Sequence, residues 1–73
     1  MIKNEQQRKR IGQDITRLRE QLGMTQGDVS KHTGILRQHI SRIEQGKYSV
    51  GFDTLQAIAN ALDADIHIVP RNS

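Results

Sequence analysis

The chain of 73 residues has no cysteine and no tryptophan, and only one proline, one phenylalanine and one tyrosine. Without cysteine there is no disulfide staple and no thiolate metal site, and nothing argues for an oxidising compartment. The shortage of aromatics leaves few platforms for unpaired bases, which disfavours single-strand and RNA binding. No apolar run approaches the roughly 20 residues of a membrane span, and Met1-Ile2-Lys3-Asn4 does not open a signal peptide, so a cytoplasmic protein with no membrane partner is expected. His32, His39 and His67 fall in different predicted elements and lack ligand spacing, so no metal is expected. There is no nucleophile–base pair and no phosphate-cradling glycine loop; the expectation is a protein that is not an enzyme and needs no cofactor. A chain this short makes one small domain, able to bury about 60% of its unfolded surface.

What is present is a lopsided distribution of charge. The formal net charge is +3, from 11 Lys/Arg against 8 Asp/Glu. Residues 1–50 hold ten of those cations and five of the anions, whereas residues 51–73 hold Arg71 against Asp53, Asp63 and Asp65. A basic front and a mildly acidic tail suit a polyanion on one side and a different partner on the other. With stacking platforms scarce, duplex DNA is the polyanion that fits.

The stretch from Met24 to Gly46 organises the rest. Thr25 and Asp28 have the spacing of a capping box, with Asp in the place usually taken by Glu or Gln. The spacing predicts a helix from Gln26 to Thr33, stopped at Gly34, a residue type that tolerates a left-handed backbone. A second helix is predicted from Arg37 to just before Gly46. On a wheel of about 100° per residue, Ile40 and Ile43 share one side with the entering Leu36. Almost opposite lie Gln38, Ser41, Arg42 and Gln45, with Arg37 flanking. Such a face taken alone is an ordinary solvated one. Behind a helix–turn–helix frame, its donors and acceptors suit base edges in a major groove, Arg for guanine and Gln for adenine.

Before this stretch, residues 1–7 read as a flexible end and Arg8-Lys9-Arg10 as a basic run, either a solubilising helix end or a phosphate contact. Ile11, Ile15, Leu18 and Leu22 recur at helical spacing and predict a core-facing helix over 6–22, closed by Gly23. Gly12 weakens that helix by about 1 kcal/mol against Ala, and its small size would permit a close helix approach. After the stretch, Phe52, Leu55, Ile58, Ala59 and Leu62 predict a fourth helix over 52–62, with Phe52 in the core. The tail 65–70 changes to a two-residue period. Ile66 and Ile68 face one way, His67 and Val69 the other, before Pro70 ends the run. A lone strand leaves backbone groups unpaired and invites a second copy to pair with it about a two-fold axis; the alternative is a disordered or locally packed tail.

Thr25-Gln26, Gly34, the run Ile40-Ser41-Arg42-Ile43-Glu44 and Gly46-Lys47 together resemble the phage-repressor/Cro-like (XRE) helix-turn-helix family, over roughly Ile11 to Ala64. The resemblance implies an all-α, compact four-helix lambda-repressor-like domain over 8–64, with a dimerisation strand over 65–70 and a short tail after it. It also implies roles. Arg37, Gln38, Ser41 and Arg42 would read bases, while Gln26, Lys47, Tyr48 and Arg10 would hold phosphates. Arg19 would pair with Glu44 and lock the recognition helix to the scaffold. Leu36 departs from the family's Ser or Thr at the cap; packing beside Ile40 is the expectation, and contact with a thymine methyl the alternative. The tail resembles that of HipB-type antitoxins, which dimerise through a terminal strand. The implied function is a bacterial or phage-encoded, nucleoid-associated transcriptional regulator. It would act as a homodimeric repressor on a near-palindromic operator. The alternative is an antitoxin that binds a toxin protein and represses its own operon.

Overall fold

The structure, a computed structural model, describes residues 4–68. Among them it has four helices and no strand: α1 (Asn4–Gln21), α2 (Gln26–Thr33), α3 (Arg37–Glu44) and α4 (Phe52–Ala61). Residues 4–7, read from sequence as part of a flexible end, form the first turn of α1. Glu5 sits in that turn, where the helix dipole favours an anion, 3.9 Å from Lys9 one turn on. No described helix is long and apolar enough to cross a membrane.

Local chemistry sets the ends of α2. The Thr25 hydroxyl accepts from the Asp28 amide at 3.0 Å, and the Thr25 amide donates to Asp28 Oδ2 at 2.8 Å, completing the capping box. These bonds, led by the one from the Thr25 backbone, hold the Asp28 carboxyl below its ordinary pKa. At the other end Gly34 takes φ 77° and donates to the Ser30 carbonyl. The Ser30 hydroxyl, half-buried, donates to the Ile35 carbonyl, so the serine in this packing position is satisfied within the turn.

The core sits where the inner faces meet: Ile15 of α1, Val29 of α2, Ile40 and Ile43 of α3, and Ile58 with Leu62 from α4 and its end. Ile11, Leu18, Met24, Ile35, Val50, Leu55 and Ala64 close over it. Helix α3 packs on both α1 and α2, and α4 packs on α2. The tightest approach is at Gly12. A Cβ built there would lie 2.7 Å from the Glu44 carbonyl carbon and closer still to the carbonyl oxygens of Ile43 and Glu44. The glycine that weakens α1 is what lets α1 lie against the C-terminal end of α3.

Three apolar residues are placed otherwise than the periodicity suggests. Leu36 is 65% exposed rather than packed beside Ile40. It stands in extended backbone at the mouth of α3, makes no side-chain cap, and leaves the core contact to Ile35. Phe52 is also 65% exposed, because a side chain at the first position of a helix leans toward the N-terminus and projects past the core. Leu22, 52% exposed, lies beyond the last residue of α1 in the turn closed by Gly23 at φ 69°.

Residues 64–68 follow α4 without regular secondary structure. Ile66 and His67 line a groove between α1 and α4 floored by Ile15, Leu55, Ile58 and Leu62, while Ile68 is 99% exposed. Of the expected dimerisation residues, Val69 lies outside the described residues. A strand whose partner is a second copy has nothing to pair with in one chain.

Candidate nucleic-acid interface

The outer side of α3 is the chemically distinctive surface. Ile40 and Ile43 turn inward and are buried, so helical geometry turns Arg37, Gln38, Ser41 and Arg42 outward. Arg37, Gln38, Ser41, Arg42 and Gln45 line an open concavity of about 700 Å³, joined by Gln26 from α2 and Lys47 from the following loop. Gln45 lies there with the four residues expected to read bases, and its Nε2 donates to Ser41 Oγ at 3.1 Å. The signal for Gln45 was present in the wheel, since it shares the face of Gln38 and Ser41.

The helix is fixed from behind by one carboxylate. Glu44, its side chain 6% exposed, receives Arg19 Nε at 2.7 Å and Arg19 Nη2 at 3.0 Å, a two-pronged ion pair. Thr16 Oγ1 lies 2.9 Å from Glu44 Oε1 and 3.0 Å from the Gly12 carbonyl, with one proton for the two. The Gln26 side-chain amide also donates to Glu44 Oε1, at 3.0 Å. Arg19 completes the knot by donating through Nη1 to the Met24 carbonyl at 2.9 Å. Burial pushes the Glu44 carboxyl up, but the bonds from Arg19, Gln26 and Thr16 and the Arg19 charge outweigh it and hold it below its ordinary pKa. The same hydrogen bond raises the Arg19 pKa against the pull of burial. Glu44 thus stays an anion that ties together α1, α2 and α3. The family resemblance pointed to Arg19 and Glu44 but not to the part of Thr16 or Gln26 in this knot, which depends on how three helices cross.

Gln26 needs separate notice, because it was expected to meet phosphate. A carboxylate only accepts, so the amide nitrogen is the end that faces Glu44, and its second N–H is left for an outside acceptor. Lys47 is exposed on the same concavity, in a loop whose entry is set by Gly46 at φ 74°. A bond from the Lys47 amide to the Arg42 carbonyl, 3.0 Å, closes the end of α3. Tyr48 lies off this concavity: its ring stacks on His39, with centroids 5.3 Å apart and planes 19° from parallel. Arg10 is not brought near. It is exposed on α1 about 160° around the wheel from Gly12, the position that touches α3. Arg8 and Lys9, from the same basic run, do reach the loop: Arg8 donates through Nε to the Gly46 carbonyl at 3.4 Å, and Lys9 packs against Gly46 itself.

Two short helices about a tight turn, the second with a polar outer face, form the frame, and residues 15–69 match the family described as Helix-turn-helix. The chain belongs to that family. The match is of the XRE type, whose helix-turn-helix is a DNA-binding, transcription-regulating one. Two relatives come from Sinorhizobium fredii, both named uncharacterized HTH-type transcriptional regulators. One, y4dL, is 36% identical over 61 residues, covering 84% of this chain and 31% of its own length. The other, y4dJ, is 36% identical over 55 residues, covering 75% of this chain and 71% of its own. The chain therefore spans about a third of the first relative and most of the second. In this helix-turn-helix, α2 precedes the turn and α3 follows it.

Proposed function

We propose that the protein is a sequence-specific, double-stranded-DNA-binding transcriptional regulator that represses from a near-palindromic operator as a homodimer. The observation that carries this is the concavity on α3, where two guanidiniums, three amides, a hydroxyl and an ammonium converge with no buried role of their own beyond the Gln26–Glu44 bond. Arg37, Gln38, Ser41 and Arg42 take the base edges, and Gln45 extends the row. Lys47 and the free N–H of Gln26 take phosphates at either end of that row and set register. The knot at Glu44 holds that face from behind.

The dimer follows from the tail. The two-residue period of 65–70 and the bare Ile68 support pairing of that segment with its counterpart in a second copy. Two copies of α3 would then reach successive major grooves roughly 34 Å apart. Selection from a random duplex pool at low and moderate salt tests the reading. The expected result is a motif of two inverted half-sites one helical turn apart; salt-sensitive binding without a motif would overturn sequence-specific regulation. Deleting residues 65–73 should give a monomer by light scattering, and an unchanged dimer would remove the strand from the account.

A second reading keeps the DNA-binding face and adds a protein partner, as for an antitoxin holding a toxin. Its support is exposed apolar surface outside the concavity: Phe52, Leu22 and Ile68. A protein recovered with the tagged chain from its native cells in equal amount supports this reading, and the chain recovered alone counts against it.

A further inference from the structure

A second concavity, of about 320 Å³, opens where the first turns of α1 meet the loop after α3. Its floor is aliphatic, made by Ile11, Ile43, Val50 and Leu55, and all but Ile43 are only partly buried by the core. Its rim is polar. Tyr48 forms one wall, its ring held against His39, and Ser49 follows it. Arg8 crosses from α1, and among the described residues its one hydrogen bond is long, 3.4 Å from Nε to the Gly46 carbonyl. Among those residues no acid lines the concavity and none pairs with Arg8. The Nη groups are left for an outside acceptor.

We propose that this concavity binds a small aliphatic monocarboxylate, and that its occupancy weakens DNA binding. The carboxylate lies on the Arg8 guanidinium and the chain on the aliphatic floor. The volume is at the low end of the roughly 300–1,000 Å³ of small-molecule sites, which sets the ligand as a short acid. Arg8 is the one cation in the lining, so a single negative charge matches it and a phosphate dianion does not. A carboxylate takes two charge-assisted bonds from a guanidinium, each roughly twice as strong as one to a neutral carbonyl, and so draws Arg8 off Gly46. The other apolar groove, between α1 and α4, has Asp14 and Asp65 in its lining and repels the same anion. The effect on DNA rests on the reading that α3 and Lys47 meet a duplex. Gly46 and Tyr48 flank Lys47 in the chain, so the bound anion loosens the hold on that loop and sets negative charge beside the phosphates.

The test first follows the amide signals of the full chain, labelled with nitrogen-15 and free of DNA, as hexanoate, hexanol or acetate is added at constant ionic strength. Hexanoate should saturate and move the signals of Gln7, Arg8, Tyr48, Ser49 and Val50 together. Hexanol, which cannot pair with the guanidinium, should bind about tenfold more weakly, and acetate, which has no chain for the floor, should not saturate over the same range. Arg8→Gln should lose the preference for hexanoate over hexanol, and Arg10→Gln should keep it. Equal response to hexanoate and hexanol, no saturation, or signals moving chiefly along the α1–α4 groove would overturn the site. Fluorescence anisotropy on the selected operator then reads the coupling. Saturating sodium hexanoate should weaken duplex binding several-fold against equal sodium chloride, and Arg8→Gln should show no such difference. A site that fills without changing duplex binding would overturn the coupling. Failure of the unliganded chain to bind any duplex would instead overturn the DNA reading and leave the acid site standing on its amide signals.

Discussion

Replacing Gly12 by alanine sets two effects of opposite sign against each other, and the structure decides between them. Helix propensity favours alanine by about 1 kcal/mol in the middle of α1. Against it stands a Cβ 2.7 Å from the Glu44 carbonyl carbon, and nearer to two carbonyl oxygens. These are backbone atoms at the end of α3, so no rotamer change relieves the clash. Restoring ordinary contact means moving the two helices apart by about 1 Å. Such overpacking costs about 1–3 kcal/mol by itself. The same displacement stretches the Arg19–Glu44 bonds of 2.7 and 3.0 Å, and charged hydrogen bonds contribute about 1.5–3 kcal/mol each when intact. The net expectation for Gly12→Ala is a loss of about 2–4 kcal/mol. That is a large part of the roughly 4–11 kcal/mol available to a domain this size. Urea unfolding followed by far-ultraviolet circular dichroism measures it. Gly27→Ala is the control: a Cβ there meets only the Thr25 hydroxyl at 3.6 Å, so propensity should win and stability should rise by up to about 1 kcal/mol. If Gly12→Ala proved as stable as the parent, the close approach would not be what holds α1 against α3.

The same geometry sets further outcomes. Glu44→Ala strands the Arg19 cation behind α3 and should cost about 3–5 kcal/mol, measured by thermal unfolding. The Glu44 carboxyl is held below its unfolded pKa, so its stabilisation is complete above the unfolded value of about 4.3 and is lost as pH falls through the lower folded value; Glu44→Gln should flatten that acid limb. Leu36→Ser places a hydroxyl at the uncapped mouth of α3 and removes an exposed apolar side chain, so the melting temperature should rise, by about 1 kcal/mol of stability. In binding assays, Arg42→Ala should cost about 1–3 kcal/mol and blunt discrimination at one or two base pairs. Lys47→Ala should weaken all sequences alike with a shallower salt slope, and identical behaviour of the two would refute the division of roles.

The parts of the fold set by neighbours in sequence were legible in it. Thr25, Asp28 and Gly34 bound α2 at both ends because caps and left-handed stops act within a few residues. The inward Ile40 and Ile43 and the polar row from Gln38 to Gln45 follow from helical period alone. Periodicity does not say where a helix end points, which is why Phe52, Leu22 and Leu36 look like core residues in sequence and stand in solvent. Nor does a basic run say which of its members faces a neighbour. Arg8 and Arg10 are equivalent in composition, and only the packing of α1 across the end of α3 separates them. Gln26 shows the limit most clearly, since its bond to Glu44 joins residues 18 apart through a crossing of three helices.

On α3, the residues that hold the fold and those that face outward are different residues. Ile40, Ile43 and Glu44 anchor the helix, while Arg37, Gln38, Ser41, Arg42 and Gln45 belong neither to the buried cluster nor to the hydrogen bonds of the carboxylate behind it. The lettering on the outer face can therefore be rewritten while the spine stays bound. On the proposed reading, a duplicated copy of such a chain could drift to a new operator through a handful of surface changes, without ever passing through an unfolded intermediate sequence. Its specificity is free to wander because its stability is kept elsewhere.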